Sequence, residues 1–172
     1  MRLYEGLIPT ISQELARALA EEEELLEVEP RNMAELELDI QAVLKEYVRQ
    51  EREIYNLARD MAAQRGGRGN VHKLKKQLAR ERKFKIGDES LEYIVRQLIE
   101  AFFHSAFVEE VYGEDNELRR TITPVLKKHM EQESEVHKEV RSKIKNLEEG
   151  SAAWDIEYQK VMERLKRTKK LE

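Results

Sequence analysis

Apolar residues recur at every third or fourth position through most of the chain, which is the spacing of one face of an α-helix. The first apolar stripe consists of Leu7, Ile11, Leu15 and Leu19. It predicts a helix from about Tyr4 to the glutamate run at 21–24. A second, broader stripe consists of Leu91, Ile94, Val95, Leu98, Ile99 and Phe102. It follows Gly87, where Asp88 is the expected helix cap. Both helices are expected to face the core.

Two longer helices are predicted, at about residues 32–64 and 115–147. Each would be roughly 45 Å long at the α-helical rise per residue. Their apolar positions step by three and four, as in a coiled-coil seam. Pro124 interrupts the second pattern, where we expect either a kink or a later start. The links before these helices contain Pro30 and Gly113 and are predicted to be turns.

A shorter helix is predicted after each long one. The first contains Val71, Leu74 and Leu78 and follows the expected cap Asn70. The second contains Trp154, Tyr158, Val161 and Leu165 and follows the expected cap Ser151. The patterns therefore predict six helices.

The chain repeats itself. The run VLKEYVRQEREI at 43–54 returns as VLKKHMEQESEV at 125–136, an offset of 82 positions. Upstream, Ile11 aligns with Ile94 at an offset of 83. Such self-similarity indicates a duplicated supersecondary unit. We therefore predict an all-α fold, a six-helix bundle built from two pseudo-symmetric three-helix repeats at 1–86 and 87–172, packed as one compact or elongated domain.

Composition agrees with long, solvated helices, because charged residues make up 38% of the chain and aromatic residues 6%. Cysteine is absent, which excludes disulfides and thiolate sites and is compatible with a reducing compartment. The amino terminus lacks a signal pattern, and no apolar run approaches the ~20 residues of a membrane span. These features predict a cytoplasmic protein without membrane contact.

Positive charge is concentrated at residues 65–85, which hold nine Lys or Arg residues and one Glu. The candidate residues for binding phosphate or another anion are Arg65, Arg68, Lys73, Lys76, Arg80 and Lys83. A nucleic acid would meet them as a row of phosphates. The alternative is that these charges lie in water or face the acidic run Glu21–Glu24 within the same molecule.

Each long helix carries a polar layer at the same height of its apolar seam. The layer consists of Tyr47, Gln50 and Glu51 in one unit and of His129, Gln132 and Glu133 in the other. Buried polar groups need partners. The structural interpretation is that Gln50 and Gln132 hydrogen-bond across the bundle, while the glutamates pair with Arg59, Arg141 or solvent.

A second interpretation of this layer is a metal site. His129, Glu133 and His137 follow one another at four-residue spacing on one helical face, which can present ligands to a divalent ion. Their counterparts in the first unit are Tyr47, Glu51 and Tyr55, and the tyrosines are poor ligands. We therefore predict neither a metal nor another cofactor. Recognised catalytic patterns are missing from the sequence, so no enzymatic activity is expected.

Several segments together carry a family resemblance. They are MRLYEGLIPTI, AELELDIQAVLKEYVRQEREI, RGNVHKLKKQLARERKFKIGDE, YGEDNELRR and NLEEGSAAWDIEYQKVMERLKR. With these the chain resembles the bacterial domain-of-unknown-function family 507 over nearly its whole length. The resemblance implies a small bacterial cytoplasmic protein and transfers no activity, cofactor or site residue.

The expected function is therefore that of a non-enzymatic helical interaction or scaffold protein, which offers acidic faces and a hydrophobic groove to another protein. The alternative is a nucleic-acid or ribosome-associated factor that binds phosphate through residues 65–85. The helical seams can close within one chain or between two chains, so a homodimer stays an open alternative.

Overall fold

The computed structural model describes residues 1–66, 70–147 and 152–169, without the side chains of 132–137, 152, 155, 166 and 169. The molecule is mostly helical, as predicted. Its α-helices within these residues are α1 Ile8–Arg17, α2 Met33–Gln64, α3 Val71–Glu81, α4 Ser90–His104, α5 Asp115–Lys143 and α6 Ala152–Lys169. A short 3-10 turn, Glu5–Leu7, precedes α1, and a π-helical turn, Ala18–Glu22, extends it.

A two-stranded antiparallel ribbon connects the two halves of the chain. It consists of β1, Leu26–Glu27, and β2, Glu110–Val111. Leu26 pairs with Val111, and Glu27 pairs with Glu110. Both links were predicted to be turns only, because strands of two residues are too short to show an alternating pattern.

Two helix starts are fixed by side-chain caps. The Asn70 side-chain oxygen accepts hydrogen bonds from the backbone N–H groups of His72 at 3.0 Å and of Lys73 at 3.2 Å, as a cap of α3 should. At α5, Glu114 and Glu117 form a capping box. This box fixes the start of α5 at Asp115, so the later start considered at Pro124 is wrong. The predicted cap Ser151 lies outside the described residues.

The expected cap at Asp88 is also wrong. Asp88 lies inside a 3-10 turn, Gly87–Glu89, and makes no cap for α4. The Ser90 hydroxyl instead donates a hydrogen bond of 2.6 Å to the Gly87 carbonyl oxygen. Gly87 has a φ of +65°, a conformation that glycine adopts without steric cost. The chain therefore enters α4 through a glycine turn.

The core lies between the two short helices α1 and α4 and the two long helices α2 and α5. Helix α1 packs against both α2 and α5, and α4 also packs against both long helices. The fully buried side chains include Ile8, Ile11, Leu15, Leu19, Leu36, Ile40, Leu44, Ile94, Leu98, Leu118 and Ile122. Each of them stabilises the fold by about 1.5–3 kcal/mol through removal from water. The α2–α4 and α1–α5 contacts are the seams where the candidate sites lie.

Candidate functional site

The α2–α4 seam opens into a surface cleft of about 310 Å³. Its walls are apolar side chains of both helices and of the loop that leads from α3 to α4. The apolar lining residues are Ala42, Val43, Tyr47, Phe84, Tyr93 and Ile94. A cleft of this size is at the lower end of the range that proteins use for ligands and inserted side chains.

Three aromatic rings form the floor of the cleft. The rings of Tyr47 and Phe84 stack at a centroid distance of 4.8 Å, and Phe84 meets Tyr93 edge to face at 5.3 Å. Both Tyr47 and Phe84 are only 4% exposed. Phe84 reaches this position because Lys83 turns the chain with a φ of +55° and the Phe84 N–H donates to the Ala79 carbonyl oxygen. The floor therefore consists mainly of buried rings that pack against one another.

The hydroxyl of Tyr47 is held below the cleft. It donates a hydrogen bond of 2.8 Å to the Lys85 backbone oxygen. Burial raises the pKa of Tyr47 well above its usual value, and the nearby carboxylate of Glu51 raises it further. The phenol therefore stays protonated and acts as a structural hydrogen-bond donor.

The α2 rim of the cleft is a polar network. Arg49 donates hydrogen bonds of 2.8 and 2.7 Å to the two carboxylate oxygens of Glu46 and one of 2.9 Å to Glu53. Gln50 also donates to Glu46, at 2.7 Å. These bonds from Arg49 and Gln50 lower the pKa of Glu46 to about 2. The rim is therefore ionised at neutral pH and fixed in position.

The second seam, between α1 and α5, is closed by polar contacts. Glu14 of α1 accepts a hydrogen bond of 2.6 Å from the Lys128 ammonium group, and its other oxygen lies 2.8 Å from His129 Nε2. Burial raises the pKa of Glu14, but the bonds from His129 and Lys128 outweigh it and keep that pKa below its usual value. The carboxylate stays ionised and joins the two helices.

The ring of His129 is buried, and its Nδ1 has no hydrogen-bond partner among the described side chains. A proton on Nδ1 would be a buried donor without an acceptor. The contact with Glu14 therefore favours the tautomer with the proton on Nε2. The hydroxyl of Ser12 is likewise buried without a partner in the described part of the chain.

The two seams differ at equivalent positions of the repeat. The offsets align Gln97 with Glu14, Glu46 with Lys128 and Tyr47 with His129. In α1–α5 these positions form charged contacts across the seam. In α2–α4 a neutral glutamine faces a carboxylate that is already bonded to Arg49, and the aromatic floor lies between them. One seam is therefore closed, and the other is open and apolar.

Glu51 of the predicted polar layer lies in a separate buried cluster. Its carboxylate oxygens lie 3.3 Å from Arg2 Nε and 4.0 Å from Lys75 Nζ. The prediction that Arg59 pairs with Glu51 is wrong, because the Arg59 guanidinium lies over the ring of Tyr55, 5.8 Å from its centroid. Residues near the amino terminus and on α3 approach Glu51, which sequence spacing on α2 alone could not indicate.

Other parts of the polar-layer prediction have mixed outcomes. Gln50 is half-buried at the cleft rim and bonds to Glu46 on its own helix. The predicted partner Gln132, and also Glu133 and the metal candidate His137, lie outside the described side chains. The remaining metal candidate, His129, directs Nε2 at Glu14. Within the described residues no three acidic or histidine side chains form a group that could hold a metal ion.

The basic helix α3 divides its cations between two faces. Lys75 and Arg82 point toward α2, where Arg82 donates a hydrogen bond of 2.9 Å to Glu53. On the opposite face Lys73, Lys76 and Arg80 are exposed and make no ion pair with the described carboxylates. These charges were expected either to lie in water or to face Glu21–Glu24, and the contact with Glu21–Glu24 is not observed among the described residues.

The remaining anion-site candidates flank this exposed face. Lys83 is exposed in the turn after α3, and Arg65 is exposed at the end of α2. Arg68 lies outside the described residues. The N–H groups of His72 and Lys73 at the start of α3 bond to Asn70 and are therefore not free to bind an anion.

Comparison with protein families accounts for nearly the whole chain. The sequence profile described as "Protein of unknown function (DUF507)" matches residues 1–171. The chain belongs to the DUF507 family. No curated protein matches the sequence. None of the described helices of this DUF507 protein is both long and apolar enough to cross a membrane.

The sequence predicted a hydrophobic groove in this DUF507 protein but did not predict which residues line the cleft. Gln97 and Tyr93 lie off the apolar stripe of α4, and Phe84 belongs to the basic segment. Two signals were present in the sequence: an aromatic residue within a basic segment, and the replacement of Glu14 by Gln97 between the repeats. Their meaning depends on α2 and α4 being neighbours.

Proposed function

We propose that this protein is a non-enzymatic helical interaction protein, a scaffold that binds another protein in the α2–α4 cleft. The observation that carries the proposal is the open apolar cleft at the α2–α4 seam, whose counterpart seam is closed by Glu14. A partner side chain that enters the cleft would remove from water the accessible apolar surface of Ala42, Val43 and Tyr93 above the buried aromatic floor. The role is binding, without a chemical step or a cofactor, and its predicted setting is the bacterial cytoplasm.

The proposed architecture of this scaffold is a six-helix bundle of two pseudo-symmetric three-helix units, residues 1–86 and 87–172. The ribbon supports it, because Glu27 pairs with Glu110, a residue 83 positions further along. The same offset relates Ile11 to Ile94. Antiparallel pairing of equivalent residues is what a two-fold axis between them would produce. Each unit would then lay its short helix on the long helix of the other.

Site-specific photocrosslinking tests the binding role. A benzophenone side chain replaces Gln97 in the cleft, and in a control protein it replaces the exposed Gln13 on α1. We expect a discrete protein adduct in native cells from position 97 and none from position 13. Adducts of equal yield and size from both positions, or none from position 97, would contradict the proposal.

A second candidate is binding of nucleic acid, or of a ribosome through its RNA. The observation that favours it is the exposed face of α3, where Lys73, Lys76 and Arg80 lie without carboxylate partners among the described residues. Phosphate contacts of this kind release counterions, so the affinity would fall steeply as salt rises.

Charge reversal separates this candidate from the first. The double variant K76E/R80E should abolish binding of a fluorescent RNA at low salt, whereas K45E/K127E, with the same change of net charge on exposed positions of α2 and α5, should retain it. Equal binding of RNA by both variants, or no binding by the unmodified protein, would exclude the second candidate. The crosslink from position 97 should survive K76E/R80E.

A further inference from the structure

We propose that the occupant of the α2–α4 cleft is an amphipathic helix with a basic polar face, presented by a partner protein. This inference rests on the proposed function and adds the chemistry of the partner. Three features of the cleft support it: its length, its apolar lining and the charge of its edges.

The cleft has the length of about two helical turns. Helices α2 and α4 run antiparallel here, because the Tyr47 and Tyr93 rings meet at one end, 6.0 Å apart, and the Ser105 hydroxyl donates to the Asp39 carboxylate at the other. The lining residues of α2 extend from Ala42 to Gln50, a separation of eight residues or about 12 Å. Two helices that lie side by side over this distance form the kind of groove that receives a third helix.

The apolar lining continues beyond the aromatic floor. Val43 and Ile94 line the middle of the cleft. Leu38 does not line the cleft itself, but it lies one turn before Ala42 on the same side of α2 and is 55% exposed. The apolar surface thus extends from Tyr47 toward the Asp39 end. A helix with apolar residues at successive turns would cover both the floor and Leu38.

The α2 edge of the cleft is acidic. Glu35, Asp39 and Glu46 share the cleft-facing side of α2, being four and seven residues apart, and Glu46 lines the cleft. The whole segment 35–46 holds four carboxylates and one lysine. The cations nearby are Arg49, which is held by hydrogen bonds to Glu46 and Glu53, and Lys83 and Lys85 on the opposite loop, which flank Phe84.

This charge distribution selects the occupant. Lysine or arginine residues on the polar face of a bound helix would meet the carboxylates of the α2 edge, which would repel an acidic helix or a nucleic acid. The amide side chains of Gln50 and Gln97 at the rim are neutral and accept hydrogen bonds from such cations. The second candidate function uses a different surface, the exposed face of α3, and is independent of this inference.

A designed peptide pair tests the occupant. The basic probe is a short helix with leucine and phenylalanine on one face and lysine on the other, and its counterpart carries glutamate in place of lysine. Binding is followed by amide chemical shifts in two-dimensional NMR and by fluorescence anisotropy. We expect the basic peptide to shift the amides of Val43, Tyr93 and Gln97 first, and its affinity to fall as salt rises.

Matched arginine substitutions locate the binding surface. Ala42 lines the cleft and Ala63 lies near the end of α2, and both are exposed. We expect A42R to weaken binding of the basic peptide by about tenfold, whereas A63R should change it less than about twofold. Thermal unfolding of both variants verifies that they fold.

The outcomes distinguish this inference from the proposed function. Shifts confined to Glu21–Glu24, or an equal effect of A42R and A63R, would overturn the basic-helix occupant. If the glutamate peptide binds the cleft as well as the lysine peptide, the occupant is also overturned, while the cleft stays a protein-binding site. No binding of either peptide would overturn the occupant, and the photocrosslink at position 97 would then decide the proposed function on its own.

Discussion

Glu14 of α1 and His129 of α5 join the two halves of the molecule, with the Glu14 carboxylate oxygen 2.8 Å from His129 Nε2. The equivalent pair in the other seam, Gln97 and Tyr47, borders an open cleft instead. The differences at these aligned positions separate a seam that is closed by polar contacts from one that opens into a cleft.

Removing the Glu14 carboxylate should weaken the closed seam at neutral pH. Because its side chain is 37% exposed, E14Q should lower the free energy of unfolding by only about 0.5–1 kcal/mol. The pKa of Glu14 is lowered in the folded state, so its stabilising effect is present above the ordinary value of 4.5 and is lost as the pH falls through the folded pKa. Urea unfolding should therefore show a lower free energy of unfolding for E14Q than for the unmodified protein at neutral pH, and no such difference in acid. A pH-independent difference would contradict this account of the seam.

The Tyr47 hydroxyl should contribute separately from its ring. Y47F keeps the stacking with Phe84 and removes the hydrogen bond to the Lys85 oxygen, so we expect a loss of about 1 kcal/mol in the free energy of unfolding. Y93F is the control, because the Tyr93 hydroxyl makes no hydrogen bond within the described residues. Equal losses in the two variants would show that the Lys85 bond is not the cause.

The charged side chain of Lys75 should lower the stability of the folded state at neutral pH. Burial lowers its pKa, and the attraction to Glu51 does not fully compensate. The folded state therefore holds the proton less tightly than the unfolded state, and this cost is relieved as the pH rises through the folded pKa toward the ordinary value of 10.5. K75M should raise the melting temperature at neutral pH, with a gain that shrinks in alkali, and the exposed K45M should not. A lower melting temperature for K75M would contradict this prediction.

A carboxylate pair beside the ribbon, Glu29 and Glu109, opposes folding at neutral pH. A hydrogen bond with Glu29, together with the negative charges of Glu29 and Glu27, raises the pKa of Glu109. The folded state thus gains stability when Glu109 is protonated and loses it as the pH rises above the ordinary value of 4.5. E109Q should raise the melting temperature at neutral pH but not in acid, and added salt should reduce the gain. An unchanged melting temperature at low salt would exclude this repulsion.

Much of the fold could be predicted because the buried face of a long helix appears in the sequence as apolar residues at three- and four-residue spacing. Helix α2 was expected at 32–64 and spans Met33–Gln64. Asn70 was found as a cap because its side chain acts on amides two and three residues away, which is a local effect. The start of α4 was predicted to be capped by Asp88, because an aspartate just before an apolar helical stripe has the local pattern of a helix cap. The structure has a glycine turn there instead.

The site was less predictable because its residues meet only after the helices pack. Glu51 is buried, but its partners Arg2 and Lys75 come from distant parts of the chain, so the sequence could not indicate them. Gln97 and Glu46 line the same cleft only because α4 packs against α2. Sequence alone identified where the repeats differ at Tyr47 and His129, and it could not show that this difference opens a cleft.

The most direct test of the account is the yield of a partner adduct from a photocrosslinker at the exposed Leu38, one helical turn before the cleft residue Ala42, in cells that carry A42R or A63R. A partner helix seated in the α2–α4 cleft predicts that A42R reduces the adduct by about tenfold and that A63R leaves it unchanged. Equal adduct yields in the two variants would contradict a partner seated between α2 and α4.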